Sequence, residues 1–276
     1  QVVGPLADVY DDVVSGVDSR TPVDQRLRVF AYSRVHSRQW GRELHETGGD
    51  SPSTERIGER GYKPSDNKAE PTAVSDTMYD LGPALEAQTV DPGTNLLVSG
   101  PPMSGVRRLA FEILAHGIHD NEAALVITTR FGAHRVLADL ETLVDTEDAA
   151  LGVVDCVTRG QDQAHADDQR VSYVTSPAAL TQIGIEFSKF VSEFDTRGFE
   201  QVRVVFDALS TMLPYVSTES VFKFVHVLAG QITDADGLGM GVIEPAASDE
   251  ETRRTIEELF DGQLTVAADG TAGIQF

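Results

Sequence analysis

The chain has 276 residues, of which 41% are hydrophobic, and this length suffices for one sizeable α/β core. Its 44 acidic residues against 22 basic ones give a net charge of −22, which argues against nucleic-acid binding because phosphate contacts need clustered Lys and Arg. No apolar run approaches the roughly 20 residues that span a membrane, and a single cysteine excludes an internal disulfide or a cysteine-rich zinc site. We therefore expect a cytoplasmic protein with no membrane or nucleic-acid partner.

The negative charge is concentrated in one part of the chain. Residues 1–70 carry a net charge of −2, whereas residues 71–276 carry −20, and the whole chain has only four lysines. An acidic, lysine-poor surface resembles that of proteins adapted to molar salt, where screening relieves self-repulsion. The alternative is an ordinary acidic cytosolic protein.

Composition divides the chain into three predicted parts. Residues 1–44 form an N-terminal stretch with helix-like but irregular apolar spacing, and we assign it no function. Residues 45–76 are polar and rich in Gly, Pro and Ser, which is typical of a linker or a disordered segment. Residues 77–276 have the pattern of a folded domain.

In that domain, short apolar runs alternate with amphipathic segments, which favours βαβ units and a parallel sheet. Strands are predicted at 95–99, 124–128, 151–157, 202–207 and 238–243, with a shorter edge strand at 171–175. Helices are predicted from Val106, over 181–196, over 220–233 and within 248–262, and a hairpin closes the chain with its turn near Asp269 and Gly270.

The stretch "NLLVSGPPMSGVRRLAFEIL" (95–114) resembles a phosphate-binding loop with its key residues exchanged. Gly100 and Gly105 have the spacing of G-x-x-x-x-G-K-[ST], with a strand before them and a helix after them. The lysine position, however, holds Val106, and the Ser/Thr position holds Arg107. The alternative is an ordinary strand–turn–helix corner that uses glycine for close packing.

A second element has the pattern of a Walker B strand. "VRVVFDALSTML" (202–213) is an apolar strand that ends in Asp207, followed by Ser210 and Thr211. A carboxylate at such a strand end holds Mg²⁺ in nucleotide-hydrolysing enzymes, so Asp207 is the candidate metal ligand if nucleotide binds. Many buried strands also end in Asp for capping alone.

Together these motifs resemble the RecA/KaiC-type P-loop ATPases over the span from about Tyr79 to Phe276, and more narrowly an uncharacterised haloarchaeal branch of that superfamily. "GTNLLVSGPPMSGVRRLAFEIL", "AALVITTRFGAHRVLADL" and "VRVVFDALSTML" carry the resemblance. It implies a RecA-like three-layer α/β/α fold with a mainly parallel central sheet and a C-terminal β-hairpin. It also implies a site for ATP and Mg²⁺, for which the candidate residues are Gly100, Ser104, Gly105, Val106, Arg107, Arg108, Asp207 and Ser210.

The chain departs from active members of that superfamily at the positions that carry the chemistry. Besides Val106 and Arg107, the second core strand ends in "VITTR", so Thr128, Thr129 and Arg130 stand where a catalytic glutamate is expected. We therefore assign no catalytic residue, and we expect ATP and Mg²⁺ to bind weakly or not at all.

Three functions follow from these features. The first is a regulatory or scaffolding protein with a degenerate nucleotide site, whose partner is a second copy or a signalling protein. The second is an ATP-binding enzyme in which Arg107 or Arg108 replaces the lysine. The third, a DNA-recombination factor, is disfavoured by the acidic composition.

Other chemistry has little support in the sequence. His116 and His119 have a spacing that can share a metal, but no third ligand is evident, and histidines at a helix end are the simpler interpretation. Cys156 lies in an apolar strand and is interpreted as a core residue. The sequence has no G-x-S-x-G elbow, so it does not support a serine hydrolase.

The charge predicts that stability rises with salt. Thermal melts in about 0.1 M and about 3 M KCl compare a long and a short screening length. We expect the higher melting temperature at 3 M, because 44 acidic residues repel one another less there. Equal or greater stability at low salt would contradict this expectation.

Overall fold

The computed structural model describes residues 78–161, 168–244 and 250–276. The N-terminal stretch 1–44 and the linker 45–76 lie outside the described residues, and their predicted character stays a prediction.

Two sheets are present in the described part of the chain. A small antiparallel pair precedes the main sheet and consists of β1 (Tyr79–Asp80) and β2 (Thr89–Val90). The main sheet has eight strands in the order β10-β9-β3-β8-β7-β4-β5-β6, and every neighbouring pair is parallel except β9 and β10. Its strands are β3 (Asn95–Ser99), β4 (Ala123–Thr128), β5 (Leu151–Asp155), β6 (Val171–Tyr173), β7 (Val202–Asp207), β8 (Leu238–Ile243), β9 (Gly262–Val266) and β10 (Ala272–Gln275).

Helices cover both faces of the main sheet. They are α1 (Val106–His119), α2 (Ala133–Glu141), α3 (Leu180–Thr196), α4 (Thr218–Asp234) and α5 (Glu250–Glu257). One hydrophobic cluster joins α1 and α2 to the sheet, and a second joins α3, α4 and α5 to the opposite face. The predicted RecA-like three-layer fold, with its mainly parallel sheet and C-terminal hairpin, is therefore confirmed.

The central strands explain why this architecture is stable. Every residue of β4, β7 and β8 is buried, as expected for parallel strands that are covered on both faces. Along β3, Leu96 and Val98 join the cluster under α1, whereas Leu97 joins the cluster under α4. Alternate side chains of one strand thus serve two separate hydrophobic layers.

Some predicted boundaries move for identifiable reasons. The strand predicted at 151–157 ends at Asp155, whose carboxylate accepts the backbone N–H groups of Val157 and Thr158 and turns the chain. The helix predicted at 220–233 begins earlier, because the hydroxyl of Ser217 caps it by accepting from the backbone N–H of Ser220. The edge strand ends at Tyr173 rather than at residue 175.

A buried ion pair fixes α1 to the sheet at the edge where the strands begin. Arg203 on β7 makes two 2.7 Å hydrogen bonds to the carboxylate of Glu122, and both side chains are buried. The same guanidinium donates to the backbone carbonyls of Asp80 and Ile113. Gly117 of α1 lies directly against it, since an added Cβ would stand 2.3 Å from Arg203 Nε.

This contact predicts opposite effects for two helix glycines. Gly117→Ala drives a methyl group into a fixed guanidinium and should lower the free energy of unfolding by about 1–3 kcal/mol or more. A Cβ added at Gly230 on α4 would have no atom within 4 Å. Gly230→Ala should therefore raise the free energy of unfolding by up to about 1 kcal/mol, because alanine favours the helix. Denaturant titrations measure both values. Equal changes in the two variants would show that the packing around Arg203 is looser than described.

Candidate functional site

The candidate site lies where β3, β4 and β7 end. The carboxyl ends of parallel strands meet at one edge of a sheet, and ligands of open α/β folds bind at that edge. Apart from Arg108, the residues that the sequence singled out for nucleotide binding lie in the loops after β3 and β7 or in the elements next to those loops.

The loop after β3 is shaped by its glycines. An added Cβ on Gly100 would lie 2.4 Å from the carbonyl oxygen of Val266, so only glycine fits between β3 and β9. Gly105 has a φ of 96° and precedes the first turn of α1. Between them, the N–H of Ser104 donates to the carbonyl of Pro101, and the Ser104 hydroxyl is buried with no hydrogen-bond partner among the described residues.

The lysine position of this loop belongs to the hydrophobic core. Val106 is buried and belongs to the cluster that joins α1 to the sheet. Its side chain also lies close to Gly100. No positive charge is therefore available at the first position of α1.

Arg107 occupies the centre of the site. Its Nε donates to Asp207 Oδ2 at 2.5 Å, and its Nη1 donates to Asp139 Oδ2 at 2.5 Å. The guanidinium carbon lies 4.1 Å from the centre of the Phe111 ring and 5.0 Å from that of Phe131. Two carboxylates and two aromatic rings thus hold one cation in place, and its side chain is only 20% exposed.

The Asp207 side chain is completely buried at the end of β7, so its ionised form requires compensating positive charge. Burial raises the pKa of Asp207, and the nearby guanidinium groups of Arg107 and Arg130 oppose that rise. Its Oδ1 has no hydrogen-bond partner among the described residues. Arg107 is therefore the principal group that stabilises the ionised carboxylate.

Thr129 follows β4, where an active ATPase of this fold is expected to carry its glutamate. Its hydroxyl lies 2.7 Å from the carbonyl oxygen of Ala208 and 2.6 Å from the hydroxyl of Thr211, and it accepts the N–H of Ala208. These contacts tie the end of β4 to the turn after β7. A hydroxyl held in this way cannot act as a water-activating carboxylate.

A second ion pair crosses the same edge. Arg130, after β4, contacts the carboxylate of Glu244, after β8, and β7 runs between those two strands. The hydroxyl of Ser210 accepts the N–H of Glu244 at 3.4 Å. The end of β7 is thus bridged by protein contacts on both sides.

These residues do not fit the Mg²⁺–ATP that the fold implies. A Walker B carboxylate and a loop hydroxyl would hold the metal, but here the hydroxyl is replaced by Arg107, whose cation already contacts Asp207. The loop amine that would neutralise the β- and γ-phosphates is replaced by buried Val106.

The structure places most of the predicted site residues together. Gly100, Ser104, Gly105, Val106, Arg107, Asp207 and Ser210 lie in the loops after β3 and β7 or next to them. Arg108 is different: its side chain is 76% exposed, and it pairs with Glu112 on the surface of α1 at 2.8 Å.

Sequence reasoning missed two kinds of site residue. Phe111 could have been found, because it lies four positions after Arg107 on the same helix and therefore on the same face. Asp139 and Glu244 belong to other elements, and no local pattern connects them to the loop.

The other candidates are structural. His116 Nε2 lies 3.5 Å from Asp80 Oδ2 and 3.6 Å from Asp120 Oδ2, and the described residues contain no group of three side chains that could hold a metal. Cys156 is buried, and burial raises the pKa of its thiol, which fits the predicted core role.

Comparison with known proteins identifies the relatives of this chain. A family model matches residues 93–266, a span that contains every site residue described above. The chain belongs to DUF7504, a family of unknown function. A search of curated proteins found no match to this member of DUF7504.

Several solved structures resemble this DUF7504 chain, and each match covers 64% of it. An uncharacterised Pyrococcus horikoshii protein, crystallised with an unknown peptide, has a TM-score of 0.52 and 15% identity over 78% of its own length. The flagellar accessory protein FlaH of Methanocaldococcus jannaschii has a TM-score of 0.43 and 10% sequence identity over 72% of its length. A KaiC-like protein of P. horikoshii has a TM-score of 0.46 and 14% sequence identity, also over 72% of its length. At such identities the likeness concerns the fold alone.

A membrane-spanning helix was also sought. Within the ranges given above, no helix is both long enough and apolar enough to cross a bilayer.

The Arg107–Asp207 contact predicts a pH-dependent loss of stability. Arg107→Leu removes the group that lowers the pKa of Asp207, so the ionised carboxylate is left buried, at a cost of about 3–5 kcal/mol. The loss should be smallest at acid pH, where Asp207 is protonated, and should grow as pH rises through its raised pKa. Denaturant titrations at about pH 5 and about pH 8 measure this difference.

Two further variants make the test specific. Adding Asp207→Asn to Arg107→Leu should recover part of the loss, because no buried charge remains. Arg135→Leu also removes a partner of Asp139, but its side chain is 68% exposed, so we expect a change below about 1 kcal/mol. A pH-independent loss that Asp207→Asn does not relieve would contradict the described ion pair.

Proposed function

We propose that this protein is a regulatory or scaffolding protein on a RecA/KaiC-like fold, with a degenerate nucleotide site and little or no ATPase activity. One observation carries the proposal: the guanidinium of Arg107 lies 2.5 Å from the carboxylate of Asp207, where a metal ion would be needed. The site is thus neutralised by the chain itself.

The chemistry of phosphoryl transfer supports this proposal. Such enzymes work by positioning the reactants and by neutralising the charge that develops on the phosphates. In this chain the loop amine is replaced by Val106, the metal-binding hydroxyl by Arg107 and the water-activating carboxylate by Thr129. Groups that act as a unit lose their effect together, so the three changes leave no partial mechanism.

The contacts disfavour the alternative of a rebuilt ATPase. For Arg107 to reach a phosphate, it would have to leave both Asp207 and Asp139. Arg108 is directed to the exposed side of α1, where it pairs with Glu112. Neither arginine is placed as the lysine of a phosphate loop would be.

The distribution of positive charge disfavours a DNA-recombination factor. Of the twelve Lys and Arg side chains in the described residues, eleven lie within 4.0 Å of a carboxylate. A surface that binds nucleic acid needs cations that are available to phosphates. The solved P. horikoshii protein that holds an unknown peptide is instead a precedent for peptide binding on this fold, which agrees with a scaffolding role.

The proposal predicts no ATP hydrolysis above background in molar KCl with Mg²⁺ and ATP. Val106→Lys alone should not produce turnover, because Arg107 still pairs with Asp207 and Thr129 still stands in place of the water-activating carboxylate. Phosphate release is measured for the wild type, for Val106→Lys, and for a triple variant that adds Arg107→Thr and Thr129→Glu.

Asp207→Ala is the control for contaminating ATPases. Any phosphate release that survives this substitution does not come from the site. Wild-type turnover that disappears in Asp207→Ala would overturn the proposal and establish a working active site.

A further inference from the structure

The main sheet has an open lateral side along its outermost strand β10, which pairs only with β9. In an antiparallel pair, each strand turns alternate N–H and C=O groups toward its partner, so the other half of the β10 backbone points away from the sheet. The 3-10 turn Pro83–Leu85 lies beside β10 but does not bond to its backbone. Among the described residues, only β9 makes hydrogen bonds to that backbone.

The open side of β10 lacks the usual protection of an outermost strand. Native proteins protect such strands with charged side chains, with proline or by keeping the strand very short. Residues 271–276 contain no charged residue and no proline. The strand at the other side of the sheet, β6, has three residues, and Asp168 and Arg170 form an ion pair directly before it.

The hairpin that contains β10 is almost free of charge. Residues 262–276 contain one acidic residue, Asp269, and no basic one, whereas residues 71–276 contain 32 acidic residues. The Asp269 carboxylate accepts the backbone N–H of Thr271 in the turn, so it lies outside β10. An acidic domain thus presents one uncharged, unpaired strand.

A row of apolar side chains runs along one face of β10. Ala272 and Ile274 are half-buried and pack against the hydrophobic cluster under α1. Phe276 continues this alternation: a Cβ added at Gly262 would lie 2.8 Å from its ring, and Gly262 has the same parity on β9 as Leu264, the partner of Ile274. The Phe276 side chain is nevertheless 78% exposed, so apolar surface remains beside the open strand.

We propose that β10 accepts an extended segment of a partner protein as a ninth strand of the main sheet. The segment carries apolar side chains at alternate positions and has no acidic residue. The inference rests on the proposed scaffolding function and names how the scaffold holds its partner.

Three features of the surface specify this occupant. A row of N–H and C=O groups without partners pairs with another extended backbone. The row of Ala272, Ile274 and Phe276 selects apolar side chains at every second position of that backbone. The net charge of −22 repels an acidic segment and opposes a second copy of the chain, and β10 has no cation that would bind nucleic acid.

The experiment uses a synthetic, dye-labelled peptide of about eight residues, a usual strand length, in which Val alternates with Thr. In one control peptide, Pro replaces the two central residues and so removes their N–H groups. In a second control peptide, Glu replaces Thr. Fluorescence anisotropy with the full chain measures binding in about 3 M KCl, where ionic attraction is screened, and at the lowest KCl concentration that keeps the chain folded.

We expect the test peptide to bind about ten-fold or more tightly than the Pro peptide in both salts, because strand pairing needs the backbone donors. The Glu peptide should bind more weakly than the test peptide at the lower salt concentration. Phe276→Ser should weaken binding of the test peptide by about five-fold. Tyr215→Ser is the matched control, since it removes another exposed aromatic ring, and it should leave binding unchanged.

Hydrogen exchange on the wild type locates the bound peptide without any substitution. The test peptide should slow amide exchange within residues 272–276 and leave exchange in β6 unchanged, because an added strand satisfies the open side of β10 alone.

Four results would overturn the inference. They are equal binding of the test and Pro peptides, equal weakening by Tyr215→Ser, protection outside residues 272–276 only, and sedimentation showing self-association that Phe276→Ser abolishes. The ATPase assay separates this inference from the proposed function. Absent turnover with no peptide binding rejects only the added strand, whereas turnover dependent on Asp207 rejects the function on which it rests.

Discussion

A carboxylate buried at the end of a central strand must be matched by positive charge, and the candidate site is organised around that requirement. Asp207 is completely buried, and burial raises its pKa. In ATPases of this fold a hydrated metal ion meets the requirement. In this chain Arg107 meets it from the first turn of α1, and Asp139 and two aromatic rings fix the guanidinium in place.

The difference between a metal ion and a side chain has consequences for function. A bound metal comes and goes with nucleotide, whereas Arg107 is covalently part of the chain and stays. The ends of β4 and β8 are also linked across β7, by Thr129 to Ala208 and by Arg130 to Glu244. Contacts within the chain thus hold this edge together, which agrees with the proposed scaffolding role.

Much of the fold could be predicted from the sequence, because buried parallel strands appear as short apolar runs. The bounds of β3, β7 and β8 agree with prediction for this reason. Strand and helix boundaries that single side chains determine were harder to predict. The predicted strand at 151–157 ends early because the Asp155 carboxylate binds the following backbone N–H groups.

The candidate site was only half predictable. The glycine spacing and the strand ending in Asp207 are local patterns, and the structure brings the two motifs together at one edge of the sheet. The partners of Arg107 were not predictable, since Asp139 lies 32 residues away and Asp207 100 residues away along the chain. From the sequence, the charge of Arg107 had a use only as a replacement for the missing lysine, and the fold supplies its partners Asp139 and Asp207.

The most direct test of the account is whether removing Arg107 makes stability depend on a divalent cation. Arg107→Ser restores a hydroxyl beside Asp207, and about 10 mM Mg²⁺ at constant KCl should then raise the melting temperature of this variant. The same Mg²⁺ should leave the wild type unchanged, as well as Arg107→Ser combined with Asp207→Asn. A wild type that Mg²⁺ stabilises as much as it stabilises Arg107→Ser would show that the guanidinium does not occupy the cation position, and would contradict the account.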